Sequence, residues 1–194
     1  MNKWKERHDM KDNKKSVVIF LADGFEECEA LVTVDLLRRA GTEVIMASIM
    51  NSCNVTGAHG IEILADALAK DVDYENYDMV VLPGGGEGTN NLMKSEIVAK
   101  QCIEFAANKL VAAICAAPGV LGKCGILNGK RATCYPSCEP TMIGATPIPQ
   151  DVVVDENIIT GRAPGAAIPF ALVLISQLYD KETADKIRND IVYK

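Results

Sequence analysis

A chain of 194 residues that is 48% hydrophobic, 24% charged and 5% aromatic has the balance of one soluble domain with a full core. Its net charge of −6 argues against a nucleic-acid groove, and no apolar run approaches the roughly 20 residues that cross a bilayer. Seven cysteines contain no C-x-x-C pair, and with only His8 and His59 available they build no familiar zinc pattern, so reduced thiols in a cytosol-like, cytoplasmic setting are expected.

Residues 1–15 are polar, lack the apolar centre of a secretory signal, and read as a flexible extension before a single domain over 16–194. Residues 16–22 are a continuous apolar run, as in a strand covered on both faces. Asp23-Gly24-Phe25 makes a turn. Ala30, Leu31, Val34, Leu37 and Ala40 then keep helical spacing over 26–40, and Gly41 supplies the stop. Residues 42–50 are β-rich, which completes a right-handed β-α-β unit. A small hairpin is expected between Val55 and Leu64, and a buried strand over 78–83 runs into Gly84-Gly85-Gly86. Helical stretches follow over 88–93 and 95–108.

Residues 110–114 are small or apolar and run into Cys115, with Pro118 and Gly119 close behind. This predicts a strand, a sharp turn and a helix to about Lys123. On such a turn the free N–H groups of the next helix favour thiolate over thiol, the alternative being a buried structural cysteine. Short strands are expected over 131–134, 151–154 and 158–160, then helices over 166–179 and 181–190. No repeat or linker marks a domain boundary. Alternating strands and helices predict an α/β, doubly wound, mostly parallel sheet sandwiched by helices.

In such sheets ligands sit beyond the carboxyl ends of the strands. Three of those ends are unusual here: the acidic Glu26-Glu27-Cys28-Glu29, the glycine run at 84–86, and Cys115-Ala116. The glycine run lacks both G-x-x-x-x-G-K-[ST] and G-x-G-x-x-G, which argues against a nucleotide and for close backbone approach to an oxyanion. Capping of the helix N-terminus explains one or two of the acids, but not one that turns inward to a cysteine.

The stretches 21–29, 34–41, 81–85, 113–118 and 160–165 together resemble the ThiJ/PfpI superfamily. The likeness is strongest to the branch containing the parkinsonism-associated deglycase and redox chaperone and its bacterial relatives. It runs from Ser16 to Tyr193. It implies a flavodoxin-like, class I glutamine amidotransferase-like fold, no cofactor and no metal. It also implies that Cys115 is the nucleophile on a strained elbow, that Glu29 is a buried, protonated partner, and that the N–H groups of Gly85 and Ala116 form an oxyanion hole. Gly84, His59, Tyr135, Asp35 and Arg39 are pocket or subunit-interface candidates. A homodimer built on the first helix would bring Asp35 and Arg39 near the neighbouring subunit's site.

Two departures narrow the chemistry. Tyr135 stands where some members carry a histidine, so a Cys-His-Asp triad is unavailable unless His59 substitutes. His59 lies roughly where relatives carry an arginine near the pocket, the alternative being a solvent-exposed hairpin histidine. Ala116 replaces the histidine that follows the nucleophile in the protease-like branch, and no histidine follows Cys115 for amidotransferase work, so both activities are disfavoured. Nothing in these residues suits a phosphate or a thiazole. The resemblance implies a glyoxalase III-type or deglycase enzyme acting on small 2-oxoaldehydes, or else a peroxide sensor and redox chaperone using oxidation of Cys115.

Overall fold

The computed structural model describes residues 14–194, so the expected N-terminal extension falls, up to residue 13, outside the described residues. Lys15 already joins the sheet: its carbonyl accepts the Glu43 N–H at 2.9 Å, and its ammonium lies 3.2 Å from Asp78.

Strand β1 (Ser16–Leu21) shows why the chain folds in layers. Every residue from Val17 to Leu21 is fully buried. Successive side chains of a strand alternate between faces. Val17, Ile19 and Leu21 enter one apolar cluster, Val18 and Phe20 the other. The first cluster lies under α1 (Glu27–Arg39) and α5 (Ala167–Leu178). The second lies under α3 (Glu96–Ala106) and α4 (Pro118–Lys123). A strand with two dry faces has no polar positions, which is why it reads as an unbroken apolar run.

The central sheet also contains β2 (Glu43–Ser48), β5 (Ala67–Leu68), β6 (Met79–Leu82), β7 (Leu110–Ile114), β10 (Val152–Asp155) and β11 (Ile158–Gly161). Its order is β10-β11-β7-β6-β1-β2-β5, parallel throughout except for the antiparallel β10-β11 pair at one edge. The expected hairpin is β3 (Asn54–Thr56) with β4 (Glu62–Leu64). Helix α2 (Gly86–Lys94) follows β6, and α6 (Lys181–Asp190), capped by Asp180, closes the described chain. No helix among the described residues is long and apolar enough to cross a membrane.

The strand expected over 131–134 is shorter than its β propensity suggests. Only β8 (Arg131–Ala132) pairs, with β9 (Thr146–Pro147). The next amide, Thr133 N–H, turns away to donate to the Thr160 hydroxyl at 2.9 Å. That turn carries the chain past the end of β7.

Candidate active site

The carboxyl ends of β1, β6 and β7 meet at one edge, and three local devices bring their residues together. The first is the turn at Cys115. Its φ of 67° lies in the left-handed region, which costs a non-glycine residue about 1–3 kcal/mol unless its surroundings hold it. Here they do: Cys115 N–H donates to Gly161 O at 2.9 Å, and Cys115 O accepts Tyr135 N–H at 2.7 Å. The strain aims the side chain of Cys115, a residue only 8% exposed, across the strand ends.

The second device is the start of α1. Glu26 is its N-cap, and Glu26 Oε2 accepts the Glu29 N–H at 2.7 Å. Glu29, one turn in, is 1% exposed. Its Oε2 accepts Gly84 N–H at 2.7 Å, whereas Oε1 is buried without a hydrogen-bond partner in the structure. The neighbouring side chain in hydrogen-bonding reach of this carboxyl is Cys115.

The third device is the glycine run. A Cβ on Gly84 would lie 2.6 Å from both Cys115 Cβ and Glu29 Oε2, and 3.1 Å from the sulfur, so thiol and carboxyl meet across a bare backbone. Gly85, at φ 92°, is the N-cap of α2, and a Cβ there would strike Gly24 O at 2.2 Å. The N–H groups of Gly85 and Ala116 both reach the Cys115 sulfur.

Burial pushes the Glu29 carboxyl up to about 7, against the lowering effect of its bonds with Cys115 and Gly84. The Cys115 thiol goes up to about 12, through burial first and then the Glu29 charge and hydrogen bond, with Gly85 and Ala116 N–H working the other way. A thiolate favoured by the following helix is therefore corrected. Helix α4 is only six residues long, and desolvation together with an anionic neighbour outweighs two N–H groups. Part of that rise, after burial, comes from the ionised state of Glu29. Once Glu29 holds the proton, the repulsion is gone. The pair titrates as a unit that loses its first proton at about 7.

The other candidates divide. His59 is held by Glu27, whose two oxygens accept the His59 N–H and contact Nδ1, each at 2.7 Å. Its side chain is 71% exposed, so it is a fixed surface histidine on the β3-β4 loop. Burial works to raise the Glu27 carboxyl, but the hydrogen bonds and charge of His59 outweigh it and lower it. Tyr135 reaches the elbow through its backbone, and its side chain is exposed. Asp35 and Arg39 pair with each other at 2.7 Å on the outer face of α1, beside a groove of about 570 Å³ shared with Val32 and Ile191. They stand apart from Cys115 within this chain. Glu26, Glu27 and His59 bring possible metal-ligand atoms within 4.8 Å of one another, but Glu27 is committed to His59 and Glu26 Oε2 to the cap. The Glu27–His59 link has no signature in the sequence, since it needs the hairpin folded back on α1.

The DJ-1/PfpI family profile matches residues 15–177. The chain belongs to the DJ-1/PfpI family. DJ-1 homolog B of Arabidopsis thaliana is 38% identical over 190 residues, covering 95% of this chain and 43% of that protein, so the chain spans less than half of that relative. A deglycase of Pyrococcus abyssi is 34% identical over 151 residues, covering 77% of this chain and 90% of its own. The oxidised DJ-1 of Toxoplasma gondii superimposes with a TM-score of 0.89 at 37% identity, covering 92% of this chain and 98% of that one. The flavodoxin-like α/β fold is shared with this solved structure.

Proposed function

We propose that the chain is a cofactor-independent cysteine enzyme of small 2-oxoaldehydes, converting methylglyoxal to lactate, with the same chemistry serving glycated thiols and amines. The observation that carries this reading is the buried Glu29 carboxyl that meets Cys115 across the bare Gly84 backbone, with Oε1 unpartnered and the group poised at about 7. A group that both gives and takes a proton near neutrality suits general acid–base work. The Pyrococcus relative named a deglycase points the same way.

Ionised Glu29 takes the Cys115 S–H proton as the sulfur forms a C–S bond to the aldehyde carbon. It passes that proton to the new oxyanion, which faces the N–H groups of Gly85 and Ala116, so that the carboxyl is again free to act as a base. Glu29 then moves the hydrogen of that carbon, as a proton, to the neighbouring carbonyl carbon, and the hydroxyl proton passes to the former ketone oxygen. The aldehyde carbon is thereby oxidised to a thioester and the ketone carbon reduced to an alcohol, with no external electrons. Water then cleaves the C–S bond, releasing a 2-hydroxy acid and restoring the thiol. A homodimer is part of this reading, with the outer face of α1 as its contact.

The second reading, a peroxide sensor and redox chaperone, is favoured by the same two N–H groups and carboxyl around one sulfur, which suit a sulfinate as well as a hemithioacetal. One two-armed experiment separates them. Metal-stripped protein given methylglyoxal is expected to form lactate catalytically, and Cys115→Ala none. Peroxide-treated protein is mapped in parallel by mass spectrometry. Oxidation concentrated on Cys115 without lactate formation leaves the sensor and removes the enzyme.

A further inference from the structure

All seven cysteines are free, and two of them, Cys134 and Cys138, flank one turn outside the Cys115–Glu29 pair. Residues 135–138 form a tight turn: Cys138 N–H donates to Tyr135 O at 2.9 Å, with Ser137 at φ 76°. The Cys134 thiol donates to the same Tyr135 oxygen at 3.3 Å. The sulfur of one cysteine and the backbone of the other thus converge on a single carbonyl oxygen. Both side chains pack in the same apolar cluster, Cys134 buried and Cys138 partly open. Cys115 belongs to the cluster on the opposite face of the sheet, so it is not the partner of Cys134 although Tyr135 joins the two segments.

We propose that Cys134 and Cys138 are a redox pair, closed to an intramolecular disulfide by a small-molecule disulfide, and that closure resets the Tyr135 turn that holds the Cys115 elbow. The more open Cys138 loses its proton and attacks one sulfur of the small disulfide, forming a mixed disulfide and expelling one small thiolate. Cys134, deprotonated in turn, attacks the Cys138 sulfur and expels the second. Two protein thiols are oxidised and one small disulfide is reduced to two thiols. Burial and the Glu139 charge push both protein thiols up, so the pair reacts slowly and stays open while the surrounding pool is reducing. Closure takes the Cys134 S–H donor away from Tyr135 O. The same residue's N–H is the clamp on Cys115 O, so the oxidation state of the turn is felt at the elbow.

The test is incubation of the full chain with oxidised glutathione, acid quenching, blocking of free thiols with N-ethylmaleimide and peptide mapping. A peptide containing both cysteines that lacks two hydrogens and carries no blocking group is expected, and Cys138→Ser should lose it. Hydrogen exchange at the Tyr135 amide should change several-fold between reduced and oxidised protein and stay unchanged in Cys138→Ser. The pair is refuted if Cys134 and Cys138 remain open to blocking or hold only glutathione adducts. Its link to the elbow is refuted if the disulfide forms while Tyr135 exchange does not move. This inference stands independently of the aldehyde reading.

Discussion

Glu29→Gln is expected to lower methylglyoxal turnover by about 10²–10⁴-fold while the protein stays folded. Glutamine keeps the length of the side chain, an acceptor for Gly84 N–H and a donor toward the sulfur, but it cannot carry a proton from one carbon to the next. The wild-type rate should rise with pH through about 7, where the pair loses its first proton, and the variant should lose that limb of the profile. Stability gives an independent reading. The folded carboxyl sits at about 7 against an ordinary 4.5, so its contribution is fully present below pH 4.5 and is lost as pH rises through 7. Ionising it in place costs about 3 kcal/mol at most. The variant should therefore match wild type in acid and exceed it above pH 7 in denaturant unfolding. Undiminished turnover in Glu29→Gln would remove the carboxyl from the chemistry.

Gly84→Ala is expected to damage both activity and stability. The added carbon would sit 2.6 Å from Cys115 Cβ and from Glu29 Oε2, and these two side chains have no free direction in which to retreat. The sulfur is fixed by the clamped elbow, and the carboxyl by a capped helix turn. Overpacking of this kind costs about 1–3 kcal/mol. Separating thiol from carboxyl should also bring turnover close to that of Cys115→Ala. Gly86→Ala, two residues on, meets nothing within 4 Å and should be near neutral in both assays. Equal behaviour of the two variants would mean that the close approach at Gly84 is not what joins the pair.

The layers of the fold were legible because their physical cause is periodicity. Strands β1, β6 and β7 are dry on both faces and read as unbroken apolar runs, and α1 carries its buried stripe at helical spacing. Strands β5, β8 and β9 were not legible at their true extent, since two paired residues carry no period. At the site, the turn at Cys115 and the acids opening α1 announced themselves by residue type. The clamp from Tyr135 did not, because a backbone amide has no signature in the sequence. The direction of the thiol shift is not legible in the sequence for a related reason: a helix start is visible there, whereas the depth of burial and an anionic neighbour 86 positions away are consequences of folding.

The most direct measurement is the hydrogen carried by lactate C2 when metal-stripped protein turns over methylglyoxal in D₂O. Transfer through the exchangeable Glu29 carboxyl predicts a single lactate enantiomer with deuterium at C2, and no lactate from Cys115→Ala. Lactate that retains the aldehyde hydrogen throughout at C2, or that forms equally well from Cys115→Ala, would contradict the assignment of Cys115 and Glu29 as the reacting pair.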